Sequence, residues 1–196
     1  MISWTRPPNL VKKIYPLSHW ECWIEQKFLF SFDDGPGPQT NSLLDLSLEL
    51  NIKFAFFIIP FQMKLYPDIV QRMVDEEHIV GSHFMYHNNH MFYSKKNFLS
   101  SLNSSIFEIE KSINKKINFC RVPYGRLSIW QESWISESKL EHVMWTLDSK
   151  DYNYESKEII IERINKNKKT GDIILFHDGN KHHPNLLEII KETINT

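Results

Sequence analysis

The chain has 196 residues, 41 % of them hydrophobic and 24 % charged, with a formal net charge of −1. That is long enough for one domain with a real core. The balance excludes several classes: no basic run suits nucleic acid, no acidic tail suggests disorder, and no apolar run approaches the ~18 residues of a membrane span. The opening MISWTRPPNLVKK lacks an apolar stretch followed by small residues. It does not read as a secretory leader, so the cytoplasm is the expected compartment. Cys22 and Cys120 read as two free thiols, and a monomer is the default expectation.

Short apolar runs alternate with amphipathic helices. Residues 1–26 form an aromatic segment, expected to pack on the bottom or an open edge of the domain that follows over 27–196. A strand is predicted at 28–32, then a helix over 41–50 capped by Thr40 or Asn41. Residues 53–59, rich in Phe and Ile, read as a second buried strand. Pro67 opens a helix reaching about residue 77, in the first-turn position that proline favours. A third strand follows at 79–82. Between 97 and 115, Phe98, Leu102, Ile106, Ile109 and Ile113 fall on one helical stripe. The remaining pattern gives a strand at 118–122, a helix at 128–137, a strand at 142–147, a helix at 157–167, a strand at 172–176 and a helix at 185–194. Strands alternating with helices imply a parallel α/β sheet with helical crossovers. A doubly wound sheet and an incomplete barrel both fit.

Chemistry gathers just after the strands. Asp33 and Asp34 follow the first, His83 and His87 the third, Arg121 and Tyr124 the fourth, Asp148 and Asp151 the fifth, His177 and Asp178 the sixth. In a parallel α/β fold these strand ends share one face, where active sites form. His83 and His87, four apart, would lie on one face of a helical turn. With a carboxylate they would leave one metal position open. An isolated HxxxH also fits a surface pair; the Asp-Asp on a neighbouring strand end favours the metal. One of the two acids can bind that metal while the other takes a proton from water. Arg121 is the cation that offsets their adjacent charges. His90, His182 and His183 read as loop histidines.

At these residues the chain resembles the NodB-type polysaccharide deacetylases, carbohydrate esterase family 4. SFDDGP (31–36) resembles the family's TFDDGP, GSHFMYH (81–87) its GNHTxxH, and RVPYG (121–125) its RxPYG. WTLDSKDY (145–152) resembles WxxDSxDW, and ILFHDG (174–179) resembles ILxHD. The resemblance implies a distorted, incomplete (β/α) barrel and a metal-dependent hydrolase that removes N-acetyl groups from an amino sugar in a glycan. It implies Asp34, His83 and His87 as the metal triad and Asp33 as the general base, oriented by Arg121. The backbone N–H of Tyr124 becomes an oxyanion donor, and His177 the general acid tuned by Asp151. Trp145 and Leu175 become walls of the acetyl pocket, beside Tyr124. The ligand set suits zinc, and cobalt, manganese or nickel would fit it too.

Four positions depart from the family pattern: Ala55, Ser82, Phe84 and Tyr152. Phe84 removes a hydroxyl expected near the metal, which would tune the site rather than abolish it. As an N-acetylated glycan partner, peptidoglycan, a chitin-like oligomer and a surface-polysaccharide precursor all fit. Two other readings compete. One is a hydrolase of the same fold acting on a cyclic imide or formamide. The other is a non-catalytic carbohydrate-binding domain, against which the intact acid, base and metal set argues.

Overall fold

The computed structural model describes residues 4–194. In chain order the elements are α1 (Asn9–Ile14), β1 (Phe28–Asp33), α2 (Thr40–Leu50), β2 (Ala55–Ile58), α3 (Pro60–Met63), α4 (Pro67–Asp75), β3 (Ile79–Ser82) and α5 (Lys95–Ile113). β4 (Phe119–Cys120), α6 (Ile129–Glu137), β5 (Glu141–His142), β6 (Leu147–Asp148), α7 (Lys157–Asn167), β7 (Asp172–His177) and α8 (Leu186–Ile194) complete them. The strands run parallel in the order β5-β4-β3-β2-β1-β7-β6. With helices around it, the curled sheet is the incomplete barrel that the motifs imply.

β1 sits inside the sheet between β2 and β7 and is buried along its whole length. Its alternation divides the core. Phe28, Phe30 and Phe32 join Phe54, Phe56 and Phe176 under the helices, whereas Leu29 packs inside with Ala55, Phe57, Val143 and Ile173. By the same period of two, Ser31 and Asp33 point to the inner face. A parallel sheet covered on both faces needs such unbroken apolar runs, which explains why FLFSF and FAFFII read so clearly as strands.

The segment expected to be one strand over 142–147 is two. β5 pairs with β4 at one end of the sheet, and β6 pairs with β7 at the other. An apolar run reports burial but not partner, and here the chain crosses from one edge to the other. Val143 still donates to the Cys120 carbonyl at 2.9 Å and Thr146 to that of Ile173 at 3.0 Å. Between them the N-terminal segment supplies the missing ladder. His19 donates to the His142 carbonyl at 2.8 Å and accepts from Met144 at 2.9 Å. Further along, Arg6 forks onto Asp172 with two bonds of 2.8 Å, and Tyr15 donates to the Leu127 carbonyl at 2.6 Å.

Several boundaries differ from expectation. The strand expected at 118–122 narrows to Phe119–Cys120. Ser94 caps α5 by accepting the Asn97 N–H, so the helix starts earlier than its apolar stripe. Gln39 occupies the N-cap position of α2 without a side-chain bond. Thr40, expected to cap, instead accepts the Gly37 N–H at 2.8 Å and donates to Asp178 at 2.5 Å. Cys22 and Cys120 are both free. Among the described residues no helix is long and apolar enough to cross a membrane.

Candidate active site

The two adjacent acids part company at the end of β1. Asp33 keeps the strand conformation and turns inward, where its Oδ1 accepts from Arg121 Nη1 at 2.8 Å. Arg121 is fully buried, and every arm of its guanidinium is used. Nε donates to the Val143 carbonyl at 3.0 Å, Nη2 to that of Met144 at 3.2 Å, and Nη1 also to Ser31 Oγ at 3.0 Å. The group lies over the Phe57 ring, with Cζ 4.0 Å from its centroid. A rigid planar fork suits this role in a way lysine cannot.

Asp34 leaves the strand with φ +71°, a left-handed conformation that costs a non-glycine residue free energy and persists where its surroundings impose it. The turn swings its carboxylate sideways toward the loop after β3. Asp34 Oδ1 lies 3.3 Å from His87 Nε2 and 3.6 Å from His83 Nε2. That oxygen is buried and makes no hydrogen bond. Ligand atoms of the three residues all lie within 4.8 Å of one another.

The donor chemistry fits a divalent cation. His83 Nδ1 lies 2.9 Å from the Arg121 carbonyl, which fixes that nitrogen as the donor and leaves the Nε2 lone pair facing Asp34. Burial pushes the His83 pKa down to about 3, against the pull of Asp34. The imidazole is therefore neutral, as a ligand must be. A buried carboxylate oxygen without a partner is costly, and a cation would remove that cost.

Across the rim, His177 follows Phe176 at the end of β7. Its Nδ1 lies 2.9 Å from Asp151 Oδ1, and its backbone N–H donates to Asp151 Oδ2 at 2.8 Å. Burial alone would lower the His177 pKa; the Asp151 carboxylate, helped by Asp33 and Asp34, raises it to about 10. Tyr152 sets the edge of its ring against His177, centroids 5.3 Å apart, while its hydroxyl donates to Asp148 at 2.9 Å. Tyr124 has φ +61° and packs edge-on to His87 at 4.3 Å. Trp145 lies 5.7 Å from the Arg121 guanidinium. Leu175 is buried two residues before His177, on the same inner face.

Two departures from the motif pattern prove to be structural. Phe84, with φ +64°, sends its ring into the core, wholly buried against Phe98 and His90 at 5.1 and 4.5 Å. Ser82 accepts the Phe84 N–H at 3.0 Å and pairs with Ser105 at 2.7 Å. His90 is buried behind this loop, and His182 and His183 bond to backbone carbonyls. Ser31 and His142 were not expected at the site. Ser31 braces Arg121, and its place two residues before Asp33 was the available signal. The His142 ring, bonded to Ser18 at 2.8 Å, accepts the Val122 N–H at 3.4 Å behind the Tyr124 turn. Asp178 is buried with the Gly35–Gly37 turn, and burial pushes its pKa up to about 7 against the Thr40 hydroxyl.

Comparison with known proteins agrees with this geometry. A peptidoglycan-N-acetylglucosamine deacetylase of Bacillus cereus is 30 % identical over 179 residues, covering 87 % of this chain and 82 % of the relative. A chitooligosaccharide deacetylase of Sinorhizobium fredii is 28 % identical over 158 residues, covering 76 % of this chain and 70 % of the relative. The crystal structure of the Bc1960 peptidoglycan N-acetylglucosamine deacetylase superposes with a TM-score of 0.86 over 95 % of this chain and 88 % of that one; at 24 % identity it speaks for the fold. The family model described as polysaccharide deacetylase matches residues 24–143. By fold, motif order and sequence, the chain belongs to the polysaccharide deacetylase family, the NodB type that its strand-end motifs resemble.

Proposed function

We propose that the chain is a metal-dependent hydrolase that removes the N-acetyl group from an amino sugar within a glycan, releasing acetate and leaving a free amine. The observation that carries this reading is the pairing on one rim of an arginine-held Asp33, an Asp34–His83–His87 cluster and an Asp151-held His177. Relatives named for peptidoglycan N-acetylglucosamine and for chitooligosaccharides support an N-acetylglucosamine unit as the substrate.

Asp34, His83 and His87 would hold a divalent cation, zinc first, that supplies Lewis acidity at the acetyl carbonyl and lowers the pKa of water toward ~7. Asp33 has one oxygen committed to Arg121 and the other, 3.8 Å from His83 Nε2, turned toward the cluster. That second oxygen takes the proton from the attacking water as the new C–O bond forms. The N–H of Tyr124 donates to the developing oxyanion, a contact whose loss typically costs ~10²–10³ in rate. His177 is committed to Asp151 through Nδ1, so Nε2 carries the proton given to the departing amine as the C–N bond breaks. Trp145 and Leu175 wall the acetyl methyl.

Acetate release from N-acetylglucosamine, chitooligomers and peptidoglycan fragments, with zinc or cobalt added, tests the reading. Wild-type release with none from Asp33→Asn is expected. An active Asp33→Asn variant would remove the base assignment, and silence of the wild type on every sugar with metal bound would overturn the substrate class.

A further inference from the structure

We propose that His142 is a positioning residue for the reaction. Through the Val122 N–H it sets the turn that aims the Tyr124 N–H at the developing oxyanion, and the buried side chains of Ser18 and Glu132 decide which ring nitrogen it offers. The proposal rests on the deacetylase reading above.

The need for such a residue begins in the backbone. Cys120 and His142 are partners in the parallel ladder of β4 and β5. Continued by one step, that ladder would send the Val122 N–H to the Val143 carbonyl. Arg121 Nε takes that carbonyl instead, at 3.0 Å, as part of the fork that holds Asp33. Val122 is wholly buried, and a buried N–H without a partner is costly. It finds the His142 ring, whose Nε2 lies 3.4 Å away. Reaching Asp33 with an arginine thus creates a donor that a side chain has to satisfy.

Glu132 and Ser18 fix the tautomer that can do so. Ser18 has one hydroxyl proton, and it goes to Glu132 Oε1 at 2.6 Å. The same Glu132 oxygen accepts the Leu17 N–H at 3.0 Å. The Ser18 oxygen is then the acceptor in its other contact, 2.8 Å from His142 Nδ1, so that nitrogen carries the ring proton. The Nε2 lone pair is left for Val122. Burial, with Arg121 and His83 nearby, lowers the His142 pKa to about 3, so the ring stays neutral and keeps this lone pair. All three side chains are buried. They carry a line of hydrogen bonds from α6, through the N-terminal segment, to the turn.

The turn itself passes this constraint to Tyr124. Pro123 has a fixed φ and no N–H. The Val122 carbonyl accepts the Gly125 N–H at 2.9 Å, and the Pro123 carbonyl accepts that of Arg126 at 3.3 Å. Tyr124 stands between them at φ +61°. Val122 is thus held through its N–H by His142 and through its carbonyl by Gly125, on the strand side of the Tyr124 N–H. An oxyanion donor works within about 2.7–3.1 Å of the oxygen. A small rotation at Val122 is therefore felt in the transition state more than in the substrate complex.

The test uses the zinc-loaded protein and three variants. His142→Leu removes the acceptor, His142→Gln carries a carbonyl oxygen toward the same place, and Ser18→Ala frees the ring to take either tautomer. Acetate release from the N-acetylglucosamine tetramer gives kcat and KM per folded molecule, and NMR gives amide hydrogen exchange at Val122 and Gly125. His142→Leu should lose about tenfold in kcat, a part of the ~10²–10³ that a whole oxyanion donor supplies. Its KM should be unchanged, with faster exchange at both amides. His142→Gln should recover most of the loss, and Ser18→Ala should fall between. Wild-type kcat in His142→Leu, or an equal loss in His142→Gln, overturns the role. If His142→Leu does not fold, Ser18→Ala decides: a lower kcat at unchanged KM supports the role, and wild-type kcat overturns it. If the wild type releases no acetate from any sugar, the activity reading fails by itself and exchange decides whether His142 sets the turn. Faster exchange in His142→Leu but not in His142→Gln supports that, and equal exchange in the two overturns it.

Discussion

His177 and Asp151 are joined twice, ring Nδ1 to Oδ1 at 2.9 Å and backbone N–H to Oδ2 at 2.8 Å. One carboxylate thus fixes both the orientation and the charge of the imidazole. The folded pKa of about 10 lies above the ordinary value of about 6.5. The pair therefore stabilises the fold fully below pH ~6.5, and that contribution is lost as pH rises through about 10. The same shift keeps the proposed general acid protonated at neutral pH. In Asp151→Asn the burial that opposes protonation is offset only by the more weakly acting Asp33 and Asp34. The alkaline limb of the kcat/KM profile should then move down by several pH units, toward or below ~6.5. A pH profile with ring NMR titration of His177 reads both effects; an unmoved limb would show that Asp151 does not tune the acid.

Arg121 joins Asp33 to the carbonyls of Val143 and Met144. Replacing it with methionine leaves one buried carboxylate and two buried carbonyls without partners. A loss of about 3–5 kcal/mol is expected, chiefly from the stranded charge. Arg121→Lys keeps the charge but not the fork, and should recover only part of that stability. Urea unfolding measures both variants. Equal stability of wild type and Arg121→Met would mean that Asp33 finds another partner.

The reach and limits of the sequence have physical causes. Asp33, Asp34, His83, His87, Arg121 and His177 were legible because parallel strands put their chemistry where the apolar runs end. Flat apolar strands flanked by helical stripes made the α/β class legible too. The split of 142–147 was not, since the partner of an apolar segment depends on how far the sheet curls. Nor was the pairing of His19 with Val143, a contact between segments more than a hundred residues apart. The motif position of Phe84 implies the loss of a hydroxyl near the metal, but says nothing of where the phenyl ring goes. Its positive φ, which sends the ring into the core instead, leaves no mark in a list of residue types.

Phe84 therefore has a testable structural role. It packs on Phe98 and His90 under the loop that carries His87. Phe84→Ala should destabilise the fold by about 3–5 kcal/mol, as for other buried phenylalanines. The backbone bond from residue 84 to Ser82 survives, so the affinity of the proposed Asp34–His83–His87 site for added zinc should stay at its wild-type value. Thermal unfolding and chelator competition separate the two quantities. Strong loss of zinc with little loss of stability would put the ring at the metal after all.

Gly35 ties Asp34, the proposed metal ligand, to the buried Asp178 beside it. A Cβ at this position would lie 2.3 Å from Asp178 Oδ1, and Asp178 cannot retreat because it is fully buried and holds the Thr40 hydroxyl at 2.5 Å. Gly35→Ala must therefore either break that bond or shift the turn that begins at Asp34. Breaking it strands a buried carboxylate, at about 1–3 kcal/mol or more. Shifting the turn moves the Asp34 carboxylate away from His83 and His87, whose Nε2 atoms now lie within 3.6 Å of it. The first route lowers thermal stability and spares zinc affinity; the second lowers zinc affinity. Because the strained φ of Asp34 depends on this turn, the second route should dominate, with weakened zinc binding as the larger effect in chelator competition. A variant that matches the wild type in both stability and zinc affinity would show that the turn is slack and does not position the ligand.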